Sequence, residues 1–176
     1  MRLAIGVCAL LVVAPVFAEE ITVAEGKLAF TPPAEWKPTK PASRIVEVEY
    51  KVEPIEGEET AGRMTVMGAG GSIDDNIKRW YGQFEQPNGK ATSDVAKIEK
   101  TSVGGLEIHL ADISGTYDDK PGPFVPGVKR QNHRMLAAII VTKDLGNYYI
   151  KFHGPQGTVA KNKDAFLKMV ESVKVK

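Results

Sequence analysis

The chain has 176 residues, with 23 Lys and Arg against 22 Asp and Glu, and 43% of its residues are hydrophobic. This length and composition predict one globular domain and exclude a wholly disordered or collagen-like chain. The formal net charge of +1 argues against a dedicated nucleic-acid-binding protein, because phosphate contacts require a basic surface.

The first 18 residues have the pattern of a secretory signal peptide. Arg2 provides a positive start, residues 3–17 are apolar and uncharged, and Ala18 precedes two glutamates. The apolar run is shorter than the roughly 20 residues that span a bilayer, so the pattern favours cleavage after Ala18 over a membrane anchor. We therefore expect an exported protein of residues 19–176, in a bacterial periplasm or outside the cell, with no transmembrane segment.

The single cysteine, Cys8, lies inside this apolar run. Cleavage would remove it, so the exported chain is expected to have no disulfide, no thiolate nucleophile and no thiolate metal ligand. Cleavage would also remove Arg2, which leaves equal numbers of acidic and basic side chains.

The first half of the exported chain predicts strands followed by a helix. Residues 44–53 alternate apolar and charged side chains, which is typical of an antiparallel strand with one solvated face, and residues 63–67 predict the next strand. Ser72 and Asp75 match a capping box, and apolar residues then recur at helical spacing. The helix is expected to end by residues 87–89, which read Pro-Asn-Gly.

The second half predicts four strands and a helix. Residues 94–103 and 106–117 are expected to form strands joined by a two-residue turn at Gly104 and Gly105, with a bulge near Asp112. The apolar run 135–141 predicts a central strand covered on both faces. In the next strand we expect Tyr148, Ile150 and Phe152 to face the core and Tyr149, Lys151 and His153 to face outwards. Gly154 and Pro155 then open a C-terminal helix.

Sequential strands with short turns favour antiparallel pairing. The predicted fold is therefore α+β, a twisted and mostly antiparallel sheet of about six to seven strands with two amphipathic helices packed on it. All of residues 19–176 are expected to form this single domain.

Several blocks of the sequence resemble known exported proteins. Residues 30–36 are similar to the aromatic–Pro–Trp opening of the PsbP-like group, which includes extrinsic photosystem II subunits and secreted bacterial relatives. Further blocks resemble an uncharacterised family of small exported bacterial proteins, namely residues 33–36, 67–72, 76–80, 112–117, 134–137 and 151–155. This resemblance, over about residues 28–172, implies the αβα sandwich of the PsbP-like group and carries no assigned activity.

A glycine-rich turn between the second predicted strand and the helix is a candidate anion-binding site. It comprises Gly68, Gly70, Gly71 and Ser72. Exposed N–H groups at a helix N-terminus attract anions, but the turn lacks the lysine of a phosphate-binding loop and the third glycine of a dinucleotide fingerprint. The alternative, which the two aspartates that follow favour, is a tight strand-to-helix turn that requires glycine.

Other chemistries have little support in the sequence. His109, His133 and His153 lack metal-ligand spacing, so we expect exposed or hydrogen-bonded imidazoles and no metal or other cofactor. Ser114 lies near Asp112 and His109 in sequence, but neighbours on one strand need not converge into a catalytic arrangement.

The segment 118–134 is predicted to be a long connection between two strands, rich in proline and ending in basic residues. Long loops in compact domains are often functional, so this loop could dock a partner protein of the periplasm or cell envelope, or an acidic polymer. The alternative is a loop that protects a sheet edge from strand pairing. The candidate partner-binding surface comprises Trp36, Phe124, Lys129, Arg130 and Arg134.

Two functional hypotheses follow. The first is an exported accessory or binding protein without catalytic activity. The second is a small-ligand-binding protein or hydrolase-type enzyme whose cleft brings together His109, Asp112, Tyr117 and the glycine turn at 68–72. The second hypothesis requires these side chains to converge within hydrogen-bonding reach.

Overall fold

The structure is a computed structural model that describes residues 19–120 and 126–176. Phe124 and the proposed leader lie outside the described residues. Within the described ranges the strands are β1 (Ile21–Val23), β2 (Leu28–Phe30), β3 (Lys37–Thr39), β4 (Val48–Val52), β5 (Gly62–Ala69), β6 (Phe84–Glu85), β7 (Lys97–Val103), β8 (Leu106–Asp119), β9 (Val128–Val141), β10 (Asn147–Pro155) and β11 (Lys174–Val175). The helices are α1 (Ile73–Tyr81), α2 (Thr92–Val95), α3 (Gln156–Lys161) and α4 (Lys163–Glu171).

An eight-stranded antiparallel sheet lies at the centre of the fold. Its strand order is β3-β4-β5-β10-β9-β8, and β6 and β7 both pair with β8. The prediction of an antiparallel α+β fold is confirmed, but the predicted number of strands is too low. Two strands were missed because β3 and β6 have three and two residues, too few to show a period-two pattern.

Helices cover the sheet on both faces, as the resemblance implied. On the α1 face, Ile77 and Trp80 pack with Ile139. On the α4 face, helices α3 and α4 bury Val159 and Phe166 among a larger apolar cluster. A second, three-stranded sheet of order β1-β2-β11 contributes to this α4 face and joins the two ends of the described chain.

The double coverage overturns the outward orientation that was predicted for β10. Tyr148, Ile150 and Phe152 do face a core, but Tyr149 and His153 are also buried, on the α1 face. A polar residue at every second position therefore does not mark a solvated face here, because α1 lies over it. The prediction that residues 135–141 are covered on both faces is confirmed.

The predicted N-cap of α1 and the predicted β7–β8 turn are confirmed, but α1 ends at Tyr81, earlier than residues 87–89, because Phe84 already belongs to β6. Ser72 is the N-cap of α1, and its hydroxyl oxygen accepts a hydrogen bond from the Asp75 backbone N–H at 3.1 Å. Gly104 and Gly105 have φ values of +56° and +82°, as a two-residue hairpin turn requires. The C-terminal helix is divided into α3 and α4 at Asn162, and the short helix α2 precedes β7, where the strand was predicted to begin at residue 94. The described chain therefore has four helices rather than the predicted two.

The bulge predicted near Asp112 is wrong. Asp112 pairs in regular register with Lys97 and Leu136, and the register shift lies between Gly115 and Tyr117. The carboxylate of Asp112 can remain in the regular register because it is neutralised by neighbouring cations, described below.

Residues 118–134 were predicted to form a long loop, but those of them that the structure describes are mostly strand. Strand β8 extends to Asp119 and β9 begins at Val128, so the two strands form one hairpin with 14 residues on each side. In the described ranges, no helix is long and apolar enough to cross a membrane.

Candidate functional site at the base of the β8–β9 hairpin

The end of the β8–β9 hairpin projects beyond its neighbouring strands. Strand β10 ends where Pro155 pairs with His133, and β6 reaches no farther than Tyr117. Among the described residues, 118–119 and 128–129 have ladder partners only in each other, and one further backbone hydrogen bond, from the Asp118 N–H to the Gln83 carbonyl at 2.9 Å, ties the start of this segment to the chain before β6. We call the described residues 118–120 and 126–132 the arm.

Three rings lie together under the base of the arm, on the α1 face of the sheet. The Tyr117 and His133 rings are stacked, with centroids 5.2 Å apart and planes at 9°. The His153 ring is 4.9 Å from Tyr117 and 5.7 Å from His133, tilted to both. The three residues come from β8, β9 and β10, so the cluster joins three adjacent strands.

The amine of Lys151 completes this cluster. Its Nζ donates to the Gln83 side-chain oxygen at 2.7 Å and to the Tyr117 hydroxyl at 3.1 Å. Burial, assisted by the positive charge of Arg63, lowers the pKa of Lys151 to about 7. Burial, assisted by Asp119, raises the pKa of Tyr117 to about 12. Near neutral pH the phenol is therefore uncharged, and the amine is close to half protonated.

The two histidines of the cluster resist protonation. Burial, with the cations Arg130 and Lys151, lowers the pKa of His133 to about 4. Burial also lowers the pKa of His153 well below its ordinary value. His153 is 8% exposed, and its Nδ1 has no hydrogen-bond partner among the described residues. Both rings are therefore neutral at neutral pH and pack as aromatic groups.

A groove of about 390 Å³ opens beside the arm. It is lined by residues 58–60, residues 128–133 and Pro155, and reaches His133 without including Lys151 or His153. One wall is held in place by Glu58, whose carboxylate accepts hydrogen bonds from the backbone N–H groups of Gly157 and Thr158 at 2.8 Å each. Glu58 thus satisfies free donors at the start of α3.

The basic residues of the arm are paired with acids. Arg130 donates to Asp119 at 2.7 Å, Lys129 contacts Glu85, and Lys120 lies 2.7 Å from Asp118. The arm therefore presents alternating charges rather than a basic patch, which removes the main reason to expect an acidic polymer as its partner.

Two residues of the predicted partner-binding surface belong elsewhere. Trp36 is 3% exposed, lies 5.0 Å from the Phe152 ring and donates from Nε1 to Asn162 Oδ1 at 3.0 Å. Arg134 donates to both oxygens of Asp112 at 2.7 and 2.6 Å. Trp36 is a core residue and Arg134 is a structural ion-pair partner on the sheet, so only Lys129 and Arg130 of the described candidates lie on the arm.

The cleft predicted from His109, Asp112 and Tyr117 is not formed. Asp112 faces α4, whereas His109 and Tyr117 lie on the α1 face. His109 is eight residues before Tyr117, about 25 Å along the strand, and contacts Glu107 at 2.7 Å. The glycine turn is three strand spacings, or about 14 Å, from the His109 end of β8.

The glycine turn has its polar groups satisfied internally. Ser72 caps α1 and donates to the Asp75 carboxylate at 2.6 Å. The Asn76 side chain donates to the carbonyls of Gly70 and Ser72 at 3.2 and 2.8 Å, and Gly71 has a φ of +90°. The turn around Gly68, Gly70 and Gly71 is explained by the strand-to-helix reversal, and an acid stands where an anion would bind.

Lys151 and Gln83 were missed by the sequence analysis. One signal in the sequence could have found Lys151. Lys151 and His153 lie on the strand that directly follows the apolar run 135–141, and a neighbour of a strand covered on both faces is expected to be covered on both faces as well. In the described ranges, no group of three or more His, Cys, Asp or Glu side chains is placed to hold a metal ion.

The fold defined by these elements is a PsbP-like sandwich. The solution structure of cyanobacterial PsbP from Synechocystis sp. PCC 6803 matches with a TM-score of 0.53 at 16% identity, over 97% of this chain and 98% of that chain. A Pseudomonas aeruginosa protein of unknown function matches with a TM-score of 0.50 at 9% identity, over 91% and 98%. These identities establish a likeness of fold alone, which confirms the PsbP-like resemblance. No protein-family model matches the chain, and no curated protein is significantly similar in sequence.

Proposed function

We propose that the chain is an exported accessory protein, without catalytic activity of its own, that binds a protein partner in the periplasm or cell envelope through the arm. The observation that carries this proposal is the projection of the arm beyond the sheet, with a groove of about 390 Å³ beside it. A projecting element on a rigid sheet can enter a partner's surface while the sheet keeps its shape.

The surface of the arm favours a protein partner. Its charges are mixed and paired, and Val128 beside them is 57% exposed. An apolar residue surrounded by paired charges is typical of a protein interface with a small apolar centre and a polar rim.

The cluster beneath the arm favours binding over catalysis. The Lys151 amine is held by Gln83 and Tyr117 and does not line the groove. A nucleophile or general base must reach a substrate atom, and this amine is directed to partners within the fold. The cluster therefore acts as a support that fixes the base of the arm.

Export is supported by the leader pattern of residues 1–18. The proposal requires a protein that begins at Glu19 and lies outside the cytoplasm. Cell fractionation followed by N-terminal sequencing tests this part, and a cytoplasmic protein that retains Met1 would contradict it.

The interface is tested by photo-crosslinking in the native cells. A photoreactive residue is placed at Val128 in one variant and at Ile45 in a matched variant, since Ile45 is 68% exposed and lies away from the arm between β3 and β4. We expect a discrete adduct of higher mass from position 128 and none from position 45. Mass spectrometry then identifies the partner.

Two results would overturn the proposed interface. One is equal crosslinking from both positions, which would indicate random encounters. The other is the absence of any adduct from position 128, under conditions in which the same photoreactive residue crosslinks two proteins that are known to be joined.

A further inference from the structure

A second groove lies on the α4 face, at the edge of the sheet formed by β7. It has a volume of about 370 Å³ and runs between β7 and α4. Its apolar lining includes Leu110, Leu136, Phe166, Leu167 and Val170. We call it the edge groove. It lies on the opposite face of the sheet from the Lys151 cluster and away from the arm.

The outer side of β7 has no strand partner in the part of the chain that the structure describes. Among the described residues β7 pairs with β8 alone, and five of its seven residues are exposed. The two-residue turn at Gly104 and Gly105 makes Val103 and Leu106 a hydrogen-bonded pair, and such pairs alternate along an antiparallel ladder. The N–H and C=O groups of residues 98, 100 and 102 therefore face away from β8.

A row of free backbone groups beside an apolar groove is the arrangement that binds an extended peptide by strand addition. Main-chain hydrogen bonds hold such a peptide, and alternate side chains enter the groove. A volume of about 370 Å³ lies within the range of roughly 300–1,000 Å³ for binding pockets.

The two ends of the edge groove carry opposite charge. Lys97 and Lys163 lie at one end, where Lys97 pairs with Asp112 and Lys163 contacts the carboxylate of Asp112 at 3.2 Å. Glu171 lies at the other end, since the chain leaving α4 passes Gly104 at the carbonyl of Val173. The Asp112 carboxylate at the basic end is already paired with Arg134 and Lys163, and Glu99 adds a negative charge to the lining. The groove is therefore complementary to a peptide with an acidic residue near Lys97 and a basic residue towards Glu171.

We propose that the edge groove binds an extended peptide segment of a partner protein, which adds to β7 as a further strand and places apolar side chains against α4. This site is separate from the arm and does not depend on the proposed arm interface.

The test is selection from a displayed library of random ten-residue peptides against the purified protein. Enriched peptides are expected to contain alternating apolar residues between an acidic and a basic residue. Their affinity is then measured by titration against two matched variants. Lys100→Pro removes an outward N–H that β8 does not use, and Lys100→Ala removes the same side chain but keeps that N–H.

We expect Lys100→Pro to weaken peptide binding at least tenfold and Lys100→Ala to change it less than threefold. Leu167→Glu, which places a charge in the apolar lining, is expected to weaken it similarly to Lys100→Pro. A variant in the arm, Lys129→Glu, should bind the peptide as the unchanged protein does, which separates this site from the proposed partner interface.

The circular dichroism spectrum and melting temperature of each variant establish that it folds. Hydrogen exchange supplies a second measurement on the unchanged protein, since a bound peptide should protect the amides of residues 98, 100 and 102. The proposal is overturned if no peptide is enriched, if Lys100→Pro binds as tightly as Lys100→Ala, or if those amides gain no protection. Decanoate, an amphipathic anion, serves as an alternative probe. If no peptide is enriched and decanoate binds equally well to the unchanged protein and to Lys100→Pro, the groove is instead a site for amphipathic anions.

Discussion

The phenol ring of Tyr117 stacks on the imidazole of His133, with their centroids 5.2 Å apart and their planes at 9°. His133 is 4% exposed, and this burial is the main reason that its pKa is lowered to about 4. The stack ties β8 to β9 at the base of the arm. Because the imidazole is neutral when folded, the stability of this contact depends on pH.

We predict that the protein loses stability as the pH falls from about 6.5 to 4. The cations Arg130 and Lys151 add to the effect of burial on the His133 pKa, while Asp119 and Glu58 oppose it. Between these pH values the unfolded chain binds a proton that folded His133 does not bind, so the free energy of unfolding decreases. The full effect of His133 is about 3 kcal/mol. Urea denaturation at pH 7 and pH 4.5 measures the larger part of this effect, since folded His133 becomes protonated only near pH 4.

The control for this prediction is a comparison of two histidine variants. His133→Phe retains an aromatic ring and removes the titrating group, so it should reduce the loss of stability between pH 7 and 4.5. His109→Gln, at the other end of β8, should leave that loss unchanged. Equal pH dependence in His133→Phe and the unchanged protein would show that the cluster does not respond to acid as we expect.

Lys151 should produce a pH dependence on the alkaline side. Its pKa is lowered from 10.5 to about 7, so from pH 7 to 9 the unfolded chain retains a proton that the folded chain has released. The free energy of unfolding is expected to rise by about 1–2 kcal/mol over this range, less than the full linkage value because the side chain is partly exposed. Lys151→Met should remove this rise, and Lys168→Met, at an exposed position of α4, should retain it.

The elements with a regular pattern could be predicted from the sequence. The capping residues and spacing of α1 and the glycine pair between β7 and β8 are local signals, and local geometry decides them. Strands β3 and β6 are too short for a pattern and form only because longer strands offer them a free edge. The PsbP-like resemblance correctly implied that helices cover both faces of the sheet. The alternating pattern of the strands alone did not predict this.

The polar cluster could not be predicted because it depends on strand order. Tyr117, Lys151 and His133 are adjacent only because the sheet runs β10-β9-β8. The prediction that the Lys151 side chain faces outwards assumed that one face of the sheet is solvated. That assumption is wrong because α1 covers this face. His109, Asp112 and Tyr117 are close in the sequence but do not meet in the fold. Alternation along β8 puts Asp112 on the opposite face from the other two, and His109 and Tyr117 lie about 25 Å apart along the strand.

We predict that Asp112→Asn destabilises the protein by about 2–3 kcal/mol, because it leaves the partly buried Arg134 without its charge partner. Burial alone would raise the pKa of Asp112, but the hydrogen bonds of Arg134 and, to a smaller extent, Lys163 hold it below its ordinary value. The contribution of Asp112 is therefore present at neutral pH and lost as the pH falls through that lowered value. Urea denaturation at pH 7 measures the cost.

The exposed ion pair between Lys37 and Glu53 provides the control for Asp112→Asn. These side chains are 65% and 45% exposed, so Lys37→Ala should cost less than about 1 kcal/mol. Similar costs for the two substitutions would mean that the Asp112 pair is as well solvated as a surface pair.

The burial of Trp36 distinguishes a core role from a role in partner binding. Its indole packs on Phe152 and donates to Asn162, the residue between α3 and α4. We expect Trp36→Ala to destabilise the protein by about 3–5 kcal/mol and Trp36→Phe by about 1–3 kcal/mol, since phenylalanine fills most of the space but leaves the Asn162 oxygen unpaired. Chemical denaturation followed by circular dichroism measures both values, with Ile45→Ala as an exposed control that should change stability by less than about 0.5 kcal/mol. If Trp36 were instead part of a partner-binding surface, Trp36→Ala would leave the free energy of unfolding unchanged and would weaken only the binding of the partner.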